Sequence, residues 1–285
     1  MSSYLYIVAT PIGHLSDITL RAITVLKSVD LIAAEDTRHS QRLLSEYDIQ
    51  TRCISLHEHN EDERIEKIIA LLQSGKSVAL ISDAGTPLIS DPGFRLVRAV
   101  RNANLTVVPI PGACAAIAAL VVSGLPTDRF VFEGFLPAKT GTLEFYLKKI
   151  KSEERTIIFY ESVHRIVKTL ASMEKIIGKD RIATIVRELT KSFETIKQDT
   201  LENLSAWIVH NPIQQKGEFV IVLQGADSQG NMFSEEQDKL KMLLENLLSE
   251  LSLKQAVSLA CKITNLNRKL VYSLALEIKK IDTES

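Results

Sequence analysis

Short apolar segments alternate along most of the chain with longer stretches that carry apolar residues at helical spacing and charges opposite them. This alternation is typical of successive βα units over a largely parallel sheet. In the N-terminal part it predicts strands at residues 4–10, 31–34, 52–56, 78–82 and 105–110. It predicts helices at residues 18–27, 38–46, 61–73 and 94–102, which together make one α/β domain over residues 1–112.

A second series predicts strands at residues 130–134, 155–160, 181–186, 194–199 and 218–223, with helices at 142–151, 164–177 and 201–210. Some of these strands are close in sequence, so the second α/β domain, residues 113–225, is expected to hold a mixed sheet. The polar segment 226–233 predicts a linker. Beyond it only helices are predicted, at residues 235–249, 253–263 and 268–280, as a small all-helical module over residues 234–285.

Composition and charge narrow the class of protein. The chain has 285 residues, of which 45% are hydrophobic and 24% charged, and this favours a globular protein with two domains and an appendage. The formal net charge of −1 gives no overall attraction for a polyanion, so any polyanionic partner would have to bind a local basic patch. Cys53, Cys114 and Cys261 lack CxxC spacing, which predicts reduced thiols in a cytoplasmic protein without a metal site. Neither a secretory signal nor a transmembrane helix is expected.

Two loops after apolar strands carry the most informative residues. Residues 82–93, SDAGTPLISDPG, place two aspartates, two prolines and two glycines on one connection. Such a loop suits a zwitterionic ligand, whose ammonium needs a carboxylate and whose carboxylate needs backbone N–H groups. Residues 10–13, TPIG, predict a tight turn that a ligand can approach closely. No GxGxxG follows any predicted strand, so dinucleotide binding loses its main support.

Three mixed-charge segments end or begin strands in the second domain. They are residues 160–165, 187–191 and 216–218. Such groups can act as acid, base or phosphate clamp. Helix caps and surface ion pairs explain similar strings, and this alternative stays open at the level of the sequence.

Several strings occur in a fixed order: ATPIGHLSDITLRA, EDTRHSQRLL, SDAGTPLISDPG, PIPGACAAIAAL with SGLP, FEGFLP, FYESVHR, RELTKSFE and GEFVIVLQG. In this order, over about residues 5–225, the chain resembles the tetrapyrrole methylase superfamily. Within it, the resemblance is to members that methylate the ribose 2′-oxygen of a cytidine in 16S rRNA of the small ribosomal subunit.

The resemblance implies S-adenosylmethionine bound in the cleft between two α/β domains, and a homodimer. By matching position, the cofactor-binding residues would be Pro11, Asp83, Ala84, Gly85, Ile89, Cys114, Ala115, Tyr160 and Gly217. For catalysis, Glu161 or Glu188 would take the proton, with Arg187 and Lys191 holding a phosphate or steering the acceptor oxygen.

The tail resembles the small helix-turn-helix module found in those rRNA-modifying members. Between residues 253 and 280 six basic residues stand against one acid, so a basic helical patch could hold rRNA phosphates. The expected contacts are Lys254, Lys262, Arg268 and Lys269. A solvated helix face is the alternative interpretation.

Two other functions remain open on sequence grounds. One keeps the cofactor and methylates a tetrapyrrole carbon, as other members of the superfamily do. The other is a non-catalytic RNA-binding protein on the same fold. The helical tail argues against the first, and intact Asp83, Gly85 and Asp91 argue against the second.

Overall fold

The computed structural model describes residues 3–57, 60–227, 240–264 and 266–281. Side chains at positions 269, 270, 277 and 279–281 lie outside this description. The chain forms two compact units, Met1–Gly225 and Ala226–Ser285, each with its own internal contacts. The first contains two five-stranded sheets and the second contains helices. Across the described ranges, no helix is both long and apolar enough to cross a bilayer.

The first sheet is entirely parallel and has the strand order β3-β2-β4-β1-β5. Its strands are β1 Tyr4–Val8, β2 Leu31–Ala34, β3 Cys53–Ser55, β4 Val78–Ile81 and β5 Thr106–Ile110. Its helices are α1 Leu20–Ser28, α2 Thr37–Glu46, α3 Glu61–Gln73 and α4 Phe94–Asn102. Strands β2 and β4 are buried at every position, as expected when helices cover both faces of a parallel sheet.

The helix that follows β2 begins at a side-chain cap. Asp36 precedes α2 in an extended conformation, and its carboxylate accepts the Arg38 backbone N–H at 2.8 Å. The buried positions Ser40, Leu43 and Leu44 lie on one face of α2, which leaves Arg38 and Arg42 exposed on the other. The start of α2 is therefore held at the edge of the sheet where β2 ends.

The second sheet is mixed, as the sequence predicts, with the order β6-β7-β10-β8-β9. Its strands are β6 Phe130–Phe135, β7 Thr156–Glu161, β8 Ile182–Arg187, β9 Thr195–Thr200 and β10 Phe219–Leu223. Only β6 and β7 pair in parallel, and β10 runs antiparallel to both of its neighbours. Helices α6 Thr140–Ile150, α7 Ile166–Ile177 and α8 Leu201–His210 accompany this sheet.

A helix that the sequence pattern did not predict, α5 Ala115–Val122, lies where only a domain boundary was expected. Its sequence AAIAALVV is apolar all round, so it shows none of the periodicity by which the other helices were recognised. Ala116, Ala119 and Leu120 pack with Val220 and Val222 of β10. Tertiary contact with the sheet thus selects the helix.

The C-terminal unit contains α9 over residues 240–250, α10 Leu253–Thr264 and α11 Arg268–Ile281. These helices share a core of Leu240, Leu244, Val257, Ala260, Val271, Ala275 and Ile278. The predicted helices at 253–263 and 268–280 agree with α10 and α11. Residues 228–233 of the expected linker and residues 235–239 of the first expected helix lie outside the described residues.

Candidate functional site

Strand ends of both sheets surround a cavity of about 380 Å³. From the first sheet, loops after β1, β2, β4 and β5 reach it, because the carboxyl ends of parallel strands share one edge. From the second sheet, the end of β7 and the start of β10 reach it. Since β10 is antiparallel, its first residue, Phe219, lies opposite both Glu161 and Arg187.

The loop after β4 is tied to the loop after β1 by a pair of backbone hydrogen bonds. The Thr10 N–H donates to the Gly85 carbonyl at 2.8 Å, and the Gly85 N–H donates back to Thr10 at 3.0 Å. Gly85 adopts a φ of +79°, a conformation that favours glycine. The Thr86 hydroxyl donates to the Ala113 carbonyl at 2.9 Å and so joins this loop to the segment before α5.

Backbone strain is concentrated in the same loop. Leu88 and Ser90 have φ values of +74° and +68°, although neither is glycine, and they flank Ile89. Such conformations cost about 1–3 kcal/mol each and persist only where the surroundings hold them. Ile89 and Ser90 both line the cavity, so the strain is located at the candidate site.

Three carboxylates, Glu35, Asp83 and Asp91, line the first-sheet side of the cavity. The Asp83 carboxylate accepts the Asp36 N–H at 3.0 Å, and the Asp83 N–H donates to Glu35 at 3.4 Å. Burial raises the pKa of Asp91 to about 6, with repulsion from Glu35 and Asp83 adding to the rise and a hydrogen bond from Ser82 opposing it. This arrangement favours a cationic ligand.

The opposite wall is aromatic. The Tyr160 ring makes edge contacts with Phe132 and Phe135, with centroids 4.9 and 5.6 Å apart. Its hydroxyl accepts the Ala116 N–H at 3.1 Å. Burial, and then the neighbouring Cys114 thiol, raise the pKa of the phenol above its ordinary value, so Tyr160 stays neutral. Tyr160 therefore offers a flat apolar surface and anchors the first turn of α5.

Glu161 lines the cavity next to Tyr160, but its carboxylate is already engaged. It accepts from the Ser162 N–H at 2.7 Å and from the Thr169 hydroxyl at 2.6 Å, and it pairs with Arg165 at 2.7 Å. The side chain is 1% exposed. Its charge is thus held in place by three donors from the start of α7 and the segment before it.

Arg187, Glu188 and Lys191 hold loops together. Arg187 is buried and donates to the carbonyls of Lys216 and Phe193. Glu188 accepts from the Glu218 N–H and from Lys191, each at 3.0 Å. Burial works against the charged form of Glu188, but these donors hold its pKa below the ordinary value.

Two glycines let neighbouring loops approach closely beside the cavity, and one of them, Gly13, does so between the two sheets. A Cβ on Gly217, whose φ is +99°, would lie 2.6 Å from the Glu188 carboxyl carbon. A Cβ on Gly13 would lie 2.6 Å from side-chain atoms of Thr190 and Lys191. The Thr190 hydroxyl also accepts the His14 N–H at 3.1 Å. The loop after β1 therefore closes directly against the loop after β8.

Most of the residues selected from the sequence meet at this cavity. Its lining includes Asp83, Ala84, Gly85, Ile89, Cys114, Ala115, Tyr160, Glu161 and Gly217. Pro11 and Lys191 line a second, adjoining cavity, and Arg187 and Glu188 line neither of the two. Lys254, Lys262 and Arg268 are exposed in the C-terminal unit, and the Lys269 side chain is outside the described residues.

Sequence reasoning missed Glu35 and Phe135, which also line the cavity. Glu35 directly follows β2, so its position at a strand end in the string EDTR was an available signal. Phe135 is the last residue of β6 and lies in the string FEGFLP, so its place in that string was an available signal as well.

Comparisons with known proteins agree with this architecture. The family model of Tetrapyrrole (Corrin/Porphyrin) Methylases matches residues 4–205, and the model of the RsmI C-terminal HTH domain matches residues 234–279. Cobalt precorrin-4 methyltransferase has a similar fold, with a TM-score of 0.60 and 18% identity over 78% of this chain and 94% of that one. Uroporphyrin-III C-methyltransferase from Thermus thermophilus, solved with S-adenosyl homocysteine, covers 78% of this chain and 97% of its own, with a TM-score of 0.54 and 17% identity.

Curated relatives match almost the entire chain. The protein named ribosomal RNA small subunit methyltransferase I from Haemophilus influenzae is 48% identical over 97% of both chains. The protein of the same name from Pseudomonas aeruginosa is 49% identical over 96% of both. Two five-stranded sheets with a cavity at their strand ends, together with the family match, define this protein as a methyltransferase of the tetrapyrrole-methylase type. The chain belongs, within that class, to the family of ribosomal RNA small subunit methyltransferase I.

Asp91→Asn is expected to stabilise the free protein near neutral pH. The pKa of Asp91 is raised from its ordinary value of 3.8 to about 6 in the folded protein. The folded protein therefore holds the Asp91 proton more tightly than the unfolded chain does, and the stability that this proton contributes is lost as the pH rises through that interval. After allowance for solvent screening, the substitution should add about 1–2 kcal/mol to the free energy of unfolding at about pH 7.5 and almost nothing at about pH 4. Urea unfolding at both pH values measures this.

The exposed Asp128→Asn is the control and should change stability equally little at both pH values. A destabilised Asp91→Asn protein at neutral pH would contradict the assignment of Asp91 as a carboxylate that the fold holds at a cost.

Proposed function

We propose that this protein transfers a methyl group from S-adenosylmethionine to a cytidine ribose 2′-oxygen of 16S rRNA in the small ribosomal subunit, in the cytoplasm. The observation that carries the proposal is the similarity of 48–49% over 96–97% of the chain to proteins named for small-subunit rRNA methylation. The similarity includes the C-terminal helices, which match a model of their own.

The chemistry of the cavity fits S-adenosylmethionine. Glu35, Asp83 and Asp91 can offset the ammonium and sulfonium charges, while Tyr160 and Phe135 supply aromatic surface for an adenine ring. The proposed cofactor-binding residues are Pro11, Asp83, Ala84, Gly85, Ile89, Cys114, Ala115, Tyr160 and Gly217. Pro11 would act from the adjoining cavity by fixing the turn beside Ile12, which lines both cavities.

When bound, the cofactor supplies an activated methyl group on a sulfonium that loses its charge as the methyl leaves. The protein then has to align the acceptor oxygen with that methyl and to accept its proton. Of the two proposed bases, Glu161 lines the cavity and Glu188 does not. We assign the proton to Glu161, whose Oε2 accepts one hydrogen bond from the described residues, that of the Thr169 hydroxyl.

We assign Arg187 and Glu188 to positioning. Arg187 holds the Lys216 carbonyl and Glu188 holds the Glu218 N–H, so together they fix Gly217 at the cavity wall. Lys191 pairs with Glu188 and Glu218 at 3.0 and 2.8 Å. It steers the acceptor only if that ion pairing rearranges.

The C-terminal unit is proposed to hold rRNA. Lys254, Lys262 and Arg268 are exposed, and the proposed set also includes Lys269. Each phosphate contact from such a residue adds affinity that salt weakens. Methylation of a tetrapyrrole carbon is not favoured, because it would give a basic helical module of this kind no role.

A homodimer is proposed on the basis of exposed apolar residues on α5. Ile117, Val121 and Val122 are 46%, 67% and 43% exposed, and an apolar helix face of this kind is commonly covered by a partner. A second copy of the chain is the proposed partner. Sedimentation equilibrium should give twice the mass of one chain, and Val121→Glu should reduce it to one; a monomeric parent would overturn the proposal.

The wild-type chain should transfer tritiated methyl from S-adenosylmethionine to small ribosomal subunits purified from a strain that lacks this enzyme. Nuclease mapping should place the label on one ribose 2′-oxygen. Subunits from the parent strain, already methylated at that position, are the control and should take up almost none.

Absence of label on subunits and on free rRNA, with cofactor binding intact by calorimetry, would contradict the proposed function. Label on a base instead of a ribose would retain the methyltransferase and reject the 2′-oxygen.

Glu161→Gln is expected to lower kcat by at least about 100-fold, the lower end of what a general base usually contributes. The same change at Glu188, which lines neither cavity, should lower kcat much less. Single-turnover rates with saturating small subunits measure both.

Glu161 also accepts structural hydrogen bonds, so Thr169→Val serves as a second control: it removes one donor and leaves the carboxylate. A loss in Thr169→Val equal to that in Glu161→Gln would show a structural role and reject Glu161 as the base.

A further inference from the structure

A second cavity of about 460 Å³ adjoins the first. The two share Ile12, Asp83, Ala84 and Glu218 in their linings. Because a methyl acceptor has to reach the donor from outside the cofactor's own volume, a cavity that opens onto the same residues is suited to receive it.

The character of the second cavity differs from that of the first. Where the first is lined by Glu35 and Asp91, the second receives Arg38, His39 and Arg42 from the exposed face of α2. Arg38 and Arg42 are four residues apart and so lie on the same side of the helix. One helix therefore presents two guanidinium groups to this space.

Both guanidinium groups keep N–H donors that no residue in the described part of the chain engages. Arg38 uses Nε and Nη2 to contact the Asp36 carboxylate at 3.2 and 2.8 Å, which leaves Nη1 and part of Nη2 available. Among the residues that the structure describes, no carboxylate lies within ion-pair distance of Arg42. Lys191, by contrast, is neutralised by Glu188 and Glu218.

We infer that the second cavity binds the phosphodiester backbone of the RNA strand beside the acceptor ribose, with Arg42 and Arg38 as its donors. This inference rests on the proposed function. In RNA the 2′-oxygen and the 3′-phosphate are carried on adjacent ribose carbons, so an acceptor placed at the boundary of the two cavities brings a phosphate close to α2. Guanidinium groups match phosphate oxygens in geometry and charge.

The location also fits the charge of the whole molecule. A formal net charge of −1 provides no general attraction for RNA, so contacts near the reacting ribose have to come from particular unpaired cations. Arg42 forms no ion pair with any residue that the structure describes, and it lines the cavity that adjoins the proposed cofactor cavity. It would position the acceptor strand, and the C-terminal unit would contact rRNA through its own residues.

The test compares Arg42→Gln with Arg101→Gln, since Arg101 on α4 is also exposed and lines neither cavity. Arg42→Gln should raise the KM for small subunits about tenfold and reduce the slope of log affinity against log salt by about 0.7, the value for one phosphate on a single strand. Arg101→Gln should change neither. Cofactor affinity by calorimetry should be the same in all three proteins.

Two further variants sharpen the result. Arg42→Lys keeps the charge and should retain most of the salt slope, and Arg38→Gln with Arg42→Gln should reduce the slope by about 1.4, which corresponds to two phosphates. Filter binding of small subunits at several KCl concentrations supplies these slopes, and thermal unfolding confirms that each variant is folded.

The outcomes separate the inference from the proposed function. If the wild type methylates subunits and Arg42→Gln behaves like Arg101→Gln, the inference is overturned and the proposed function stands. If the wild type binds subunits but transfers no methyl, the proposed function fails, and an unchanged salt slope in Arg42→Gln would overturn the inference as well. A wild type that binds no RNA overturns both.

Discussion

The pair of backbone hydrogen bonds between Thr10 and Gly85 is the contact on which the site depends. It joins the loop after β1 to the loop after β4, two strands that are adjacent in the first sheet. Ile12, Asp83 and Ala84, which lie within two residues of this pair, line both cavities. The positive φ of Gly85 lets the loop turn there without a Cβ penalty. Both candidate binding spaces are thus arranged around one short backbone bridge.

The residues around the cavity also include several features that lower the stability of the fold. Leu88 and Ser90 occupy left-handed conformations, and Asp91 is a carboxylate that burial and like charges keep at a raised pKa. The Leu88 side chain packs against the core of the first sheet, but its left-handed backbone, that of Ser90 and the raised pKa of Asp91 each oppose folding. A cationic ligand would relieve the repulsion among the three carboxylates, which gives their shared position a physical reason.

Charged residues that occur in similar sequence contexts have different partners in the structure. Arg187 ends β8 and Glu188 and Lys191 follow it, and all three are engaged by neighbouring loops. Arg42 sits on a helix that the sequence had described only as amphipathic, and it lines the second cavity without an ion pair to a described residue. Whether a charged side chain can bind a ligand depends on which residues already pair with it, and those residues come from distant segments of the chain.

The sequence by itself determined the two α/β series, the mixed second sheet and the C-terminal helices, because hydrophobic periodicity and turn residues are local signals. It also selected the loop from Ser82 to Gly93, because ligand sites in such sheets gather at strand ends, and the family resemblance pointed to Ile89, Cys114, Ala115, Tyr160 and Gly217 in the cavity lining. It did not reveal α5, which is apolar all round and is defined by packing on β10. Only the tertiary structure decided which carboxylates share a wall and which cations are already paired, because both depend on residues that are far apart in the chain.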